Sequence, residues 1–256
     1  MDKRIILFGT ILPLVMVIAV AYIKFVIYDG KTDIAFYIKW IPSFLLCVQS
    51  IILAYSYKFV CNDKHMYFYC LFLIAAYICC IVADVLLIFV TMPLFMTGML
   101  MFLFVHSLFG MGRIYHIKEY IRYDDNKFII ILGIIFIIIA QIFYIVNIII
   151  LVLQNDNIDS VPFIIFICIH SCFIIFSILC NYIYLVSFQT LRALFSFIGV
   201  TMCCISNCIL FFHKIKYSHK YLEVFALVLY WCGLTVISLA AYRTETIDYI
   251  ILNDDY

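Results

Sequence analysis

In the stretch CCIVADVLLIF, residues 79–89, one carboxylate, Asp84, stands among residues that carry no charge. At the centre of a membrane helix such a group costs about 2.5–3.5 kcal/mol on insertion scales, which makes it a functional suspect by default. A carboxyl can give and take a proton, so Asp84 is a candidate general acid. Residues 203–212 read CCISNCILFF, nearly the same phrase, with Asn207 where the acid stood. An amide neither donates a catalytic proton nor carries negative charge, but it hydrogen-bonds in both directions and can hold a water. A third polar group, Lys39, interrupts another apolar run.

The elements that position these groups follow from composition. Hydrophobic residues make up 68% of the 256-residue chain, charged residues 12%, and the mean hydropathy is +1.19. These values lie far outside a soluble globular domain and define an all-α integral membrane protein, whose uncharged runs of about 20 residues each span a core of about 30 Å. Breaks in hydropathy predict an eight-transmembrane-helix bundle with spans near 5–27, 34–57, 67–90, 93–115, 128–153, 162–186, 191–212 and 222–242. Pro93 and Pro162 open two of them, as first-turn prolines do. The opening MDKRIILF, positive and then apolar without a cleavage site, reads as a retained signal anchor. A charged connector carrying Arg113, Lys118, Glu119, Arg122, Asp124, Asp125 and Lys127 divides a single membrane domain, 1–256, into halves 1–115 and 128–242. No independent soluble domain is expected.

A net charge of +1 without a basic face gives no reason to expect nucleic acid; the expected partners are lipids. The twelve cysteines lie in apolar runs and read as small buried hydrophobes. Cys79-Cys80, Cys203-Cys204 and Cys168-x-x-x-Cys172 lack the further ligands of a zinc site, so neither metal nor cofactor is expected. Lys3, Arg4, Lys58, Lys64, the four basic residues of the central connector, Arg192 and Arg243 fall on one side of the membrane. Lys24, Lys31, Lys214, Lys216 and Lys220 fall on the other, ten against five, which predicts cytoplasmic termini.

Asp84 and Asn207 fall on spans 3 and 7, which run in the same direction, and the halves look like two parallel four-helix repeats. Each lies about six residues before its predicted helix end, roughly 9 Å inside the non-cytoplasmic boundary. Lys39 enters span 2 from that side to a comparable depth, so lysine and carboxylate are expected to face the bundle interior and one another. His106 and Ser107 suggest a triad with Asp84, but His106 lies about two turns deeper. Gly98 and Gly199 suit close helix packing.

The order and spacing of these residues resemble the lysoplasmalogenase (YhhN-like) family of eight-span membrane enzymes from about Lys39 to Tyr242. KWIP, from Lys39, matches the family's lysine span, and IVADVLLIF matches its first acid helix, with Ala83 in place of a glycine. FMTGMLMFLFVHSLF supplies Gly98 and His106. GVTMCCISN runs from Gly199 to Ser206 and Asn207 with the family's spacing, and LYWCGL carries Tyr230. The second acid is replaced by Asn207, and Leu234 stands where a glutamine is expected.

The resemblance implies a membrane hydrolase that cleaves the vinyl ether of a lysoplasmalogen into a fatty aldehyde and a glycerophospho-headgroup. In that reading Asp84 and Asn207 are the catalytic pair, Lys39, His106, Ser206 and Tyr230 bind the lysophospholipid, and activity is reduced by Asn207 or directed at another small amphiphile. A eukaryotic host would place the protein in the endoplasmic reticulum membrane, a bacterial one in the inner membrane. The alternative is a non-catalytic lipid-binding or lipid-transporting protein with a Lys39/Asp84 polar site. Protease added on the cytoplasmic side is expected to remove a tag fused at either terminus, with protection from the other side; the reverse pattern would invert the topology.

Overall fold

The computed structural model describes residues 3–30, 34, 37–89, 91–120, 127–154, 160–215 and 219–242. Among them the chain is all helix: α1 (Lys3–Tyr22), continued by a π-helical turn at Ile23–Tyr28, then α2 (Ile41–Phe59), α3 (Lys64–Leu86), α4 (Met92–Tyr120), α5 (Lys127–Leu153), α6 (Ser160–Phe188), α7 (Leu191–Ile215) and α8 (Lys220–Leu239). A lipid core leaves backbone groups no water to bond, so apolar runs of this length satisfy themselves as helices. Seven of the helices, α2 to α8, are long and apolar enough to cross a membrane; α1 contributes a shorter apolar stretch, Pro13–Tyr28. Pro13 lies inside α1, where it removes one helical N–H.

Several ends differ from the hydropathy boundaries, and local chemistry explains why. Pro42 sits in the first turn of α2, so that helix starts at Ile41 and leaves Lys39 in the turn ahead of it, outside the span expected to contain it. Asp63 caps α3, its side chain accepting from the Met66 N–H at 3.1 Å. At its other end α3 stops at Leu86, and Ile88 and Phe89 close tighter turns onto Val85 and Leu86. Asp84 therefore lies two residues from its helix end, about 3 Å, while Asn207 lies eight residues before the described end of α7, about 12 Å. The equal spacing from the two helix ends expected from hydropathy does not hold.

The tightest pairings join α7 to α8, α3 to α4 and α2 to α3; α4 then packs on α6, and α8 returns to α2 and α1. Helix α5 stands outside this ring. Only 6% of its span is buried, against 39–50% in the other six, so most of its isoleucine and phenylalanine side chains lie exposed on the outside of the bundle. Its strong hydropathy marks solvent preference rather than a place in the core.

Glycine decides how closely α7 and α8 approach. A Cβ on Gly199 would come within 2.7 Å of the Gly233 carbonyl and the Ile237 backbone nitrogen, and one on Gly233 within 2.8 Å of the Gly199 carbonyl. Gly98 faces the Leu87 side chain more loosely, 2.9 Å from where its own Cβ would be. Side chains from neighbouring helices add hydrogen bonds to α8 and its C-terminal turn: Tyr77 donates to the Leu234 carbonyl at 3.1 Å, Ser206 to Ala226 at 2.7 Å and Tyr57 to Ala241 at 2.5 Å.

The central charged connector begins later than expected, because α4 continues to Tyr120. Arg113, assigned to that connector, is 0% exposed. Its guanidinium lies 3.6 Å from the Tyr69 ring centre and 4.4 Å from that of Tyr184, and Nε donates to Ser196 Oγ at 2.8 Å. Ser196 in turn donates to Asn181 Oδ1 at 2.5 Å. Stacking between two aromatic faces and one charge-assisted hydrogen bond hold the cation where α3, α4, α6 and α7 meet. Gly199→Ala is expected to cost about 1–3 kcal/mol through overpacking against backbone, read as a lower Tm of the purified protein; an unchanged Tm would show that α7 and α8 separate freely.

Candidate functional site

A cavity of about 320 Å³ opens at the end of the bundle where α3 stops. Tyr22, Phe95, Phe102 and Leu227 supply much of its wall, Lys39, Asp84 and Tyr230 its inner polar groups, and His213, Lys214 and Glu223 further charge or titratable character. Apolar walls with a few convergent polar atoms suit an amphiphile. Lys214 Nζ lies 5.4 Å from the Phe95 ring centre, so its charge rests over an aromatic face.

Asp84 is 1% exposed and is held by two hydroxyls. Ser43 Oγ donates to Oδ2 at 2.8 Å, and the Tyr230 hydroxyl donates to the same oxygen at 3.2 Å, the two hydroxyls lying 3.3 Å apart. Three helices meet in this contact, since Ser43 comes from the first turn of α2, Asp84 from the last turn of α3 and Tyr230 from the middle of α8. Both donors converge on Oδ2, which leaves Oδ1 as the oxygen available to a ligand in the cavity. Among the described residues the carboxylate's direct partners are these hydroxyls and not the Lys39 ammonium, which faces the same space.

Asn207 belongs to a second, deeper cluster. Its Nδ2 lies 2.8 Å from His106 Nε2, while His106 Nδ1 lies 3.6 Å from Cys204 Sγ. With the amide nitrogen turned to the ring, Asn207 donates and the imidazole carries its proton on Nδ1, toward the sulfur. His170 stands edge-on to His106 at 5.7 Å between ring centres. Phe102, one turn before His106 on α4, meets Tyr230 at 5.4 Å and marks the boundary between the clusters.

The structure thus brings Lys39, Asp84 and Tyr230 to one cavity and sets His106, Asn207 and Ser206 outside its lining. Ser206 is spent on the Ala226 carbonyl, tying α7 to α8. Ser107 donates to the Leu103 carbonyl of its own helix at 2.9 Å, so His106, Ser107 and Asp84 form no triad, as the depth argument expected. Ser43 is the site residue that sequence reasoning missed. Its signal was present in its position four residues after Lys39, directly behind Pro42, where a helix starting at the proline turns it toward the next span.

The twelve cysteines are all free thiols, and among the described residues no group of three or more His, Cys, Asp or Glu side chains is arranged to hold a metal ion. Comparison with protein families, characterised proteins and solved structures finds no match to this chain. Its class rests on its own physics: a multi-helix, all-α, apolar chain with seven candidate spans, which makes it a multi-pass membrane protein. Replacing Asn207 by Leu removes the donor to His106 and leaves a buried imidazole nitrogen unsatisfied. The expected cost is about 1–3 kcal/mol, measured as a lower Tm, with the Asp84 cavity intact; an unaltered Tm would deny that bond a structural role.

Proposed function

We propose that this chain is a lysoplasmalogenase-type ether hydrolase, an eight-span bundle of two parallel four-helix repeats, acting on a lysophospholipid with Asp84 as its acid. The observation that carries the reading is the carboxyl at the inner end of an apolar cavity, with Oδ2 clamped by Ser43 and Tyr230 and Oδ1 left to the ligand. In the protonated acid the two donated hydrogen bonds occupy Oδ2, which assigns the proton to Oδ1. From there it passes to the vinyl carbon of the bound ether, the adjacent carbon becomes an oxocarbenium ion, and water adds to it. The resulting hemiacetal collapses to a fatty aldehyde and the glycerophospho-headgroup, while the Asp84 carboxylate stabilises the cation by its charge.

Support for the repeat comes from packing. The pairs α3 with α4 and α7 with α8 occupy equivalent places in the two halves, as do the cross-contacts of α4 with α6 and α8 with α2. Lys39 and Tyr230 meet the ligand in this reading. His106 and Ser206 act from behind the cavity wall, and Asn207, where the family carries its second acid, lowers turnover.

The test is fatty-aldehyde release from lysoplasmalogen by the purified protein beside Asp84→Asn and Asn207→Asp. Release is expected to fall at least about 100-fold in the first, the scale of a lost general acid, and to rise in the second. Equal release from the parent and Asp84→Asn would overturn the reading in favour of a non-catalytic lipid-binding or lipid-transporting protein.

A further inference from the structure

We infer that Lys39 is a covalent capture site for long-chain aldehydes, forming an imine through its ε-amine inside the Asp84 cavity. Three observations converge on this residue. First, Lys39 is 8% exposed and lines a cavity walled by Tyr22, Phe95, Phe102 and Leu227. Lysines desolvated in apolar pockets are the ones that form Schiff bases with carbonyl ligands. Second, among the described residues no hydrogen bond or direct ion pair engages the amine of this cavity-lining lysine. Third, Asp84 lines the same cavity with one oxygen fixed and the other open.

That arrangement contains the parts that imine formation needs. Transfer of one proton from the Lys39 ammonium to Asp84 gives a carboxylic acid and a free amine. The amine nitrogen attacks the carbonyl carbon, the C–N bond forms as the C=O π bond breaks, and the proton that the nitrogen sheds passes to the oxygen to give a carbinolamine. Asp84 then protonates the departing hydroxyl, which leaves as water while the nitrogen lone pair closes the C=N bond. The product is an iminium cation with the Asp84 carboxylate as its counter-ion in the same cavity. Nothing is oxidised or reduced. The apolar wall selects an alkyl chain.

The cleavage proposed above releases such an aldehyde, and only this natural source rests on that reading. The amine site does not require turnover, because aldehyde can be supplied directly.

Purified full-length protein in lipid nanodiscs would be incubated with hexadecanal and sodium cyanoborohydride, which reduces an iminium to a stable secondary amine. Intact mass and peptide mapping would then locate the adduct. A single saturating adduct on Lys39 is expected, lost in Lys39→Arg and formed about 100-fold more slowly in Asp84→Asn, the scale of a lost general acid. An adduct on Lys214, the other lysine of the cavity, or labelling spread over Lys58, Lys64 and Lys214 with Lys39 spared, would overturn the inference. Mapping on the parent protein needs no variant, so a variant that fails to fold does not block the test. Capture at Lys39 without vinyl-ether cleavage would sink the hydrolase reading alone, and cleavage without capture would sink this inference alone.

Discussion

The close crossing of α7 and α8 at Gly199 and Gly233 sets where Tyr230 stands, and Tyr230 in turn holds Asp84. Two glycine backbones in contact leave no room for adjustment, because each carbonyl sits where a Cβ of the other would be. With α8 seated there, the Tyr230 hydroxyl reaches α3 while Tyr77 of α3 reaches back to the Leu234 carbonyl. Small residues allow this approach, and hydrogen bonds between helices use it, in a solvent that offers polar groups no alternative. The site is thus a consequence of a backbone contact on the neighbouring helix pair.

Three clusters of buried polar groups stand at different places along the bundle. The Ser43, Asp84 and Tyr230 contact lies at one end, open to a cavity. His106, Asn207 and Cys204 form a closed cluster behind it. Arg113, Ser196 and Asn181 lie toward the opposite end, where Tyr69 and Tyr184 cover the guanidinium. Of the three, only the first leaves a titratable group facing open space. The guanidinium is sealed by ring faces and a hydroxyl, whereas the Asp84 carboxyl is held through one oxygen beside a cavity.

Much of this organisation is legible residue by residue. Uncharged runs interrupted by prolines and charged turns mark the spans, Gly199 marks a close packing point, and a lone carboxylate and lysine mark the cavity that both line. The failures are equally specific. Hydropathy pairs Asn207 in depth with Asp84 because it extends α3 through VLLIFV, yet Leu87, Ile88 and Phe89 lie beyond the helix end at Leu86. Sequence places Arg113 in the charged connector, but the helix runs on past it to Tyr120 and the arginine is buried.

What the amino-acid order determines by itself is the class, a multi-pass helical protein, and which few side chains are too polar for their surroundings. Both follow from transfer free energies, which depend on residue type and local neighbours alone. Only the tertiary structure decides that Ser43 and Tyr230 share one oxygen of Asp84, that Asn207 belongs to His106, and that α5 lies on the outside of the bundle. Those outcomes depend on helix ends and helix rotation, which are set by contacts between segments far apart in the chain. Hydropathy carries no information about them, since a helix turned by half a revolution keeps the same composition.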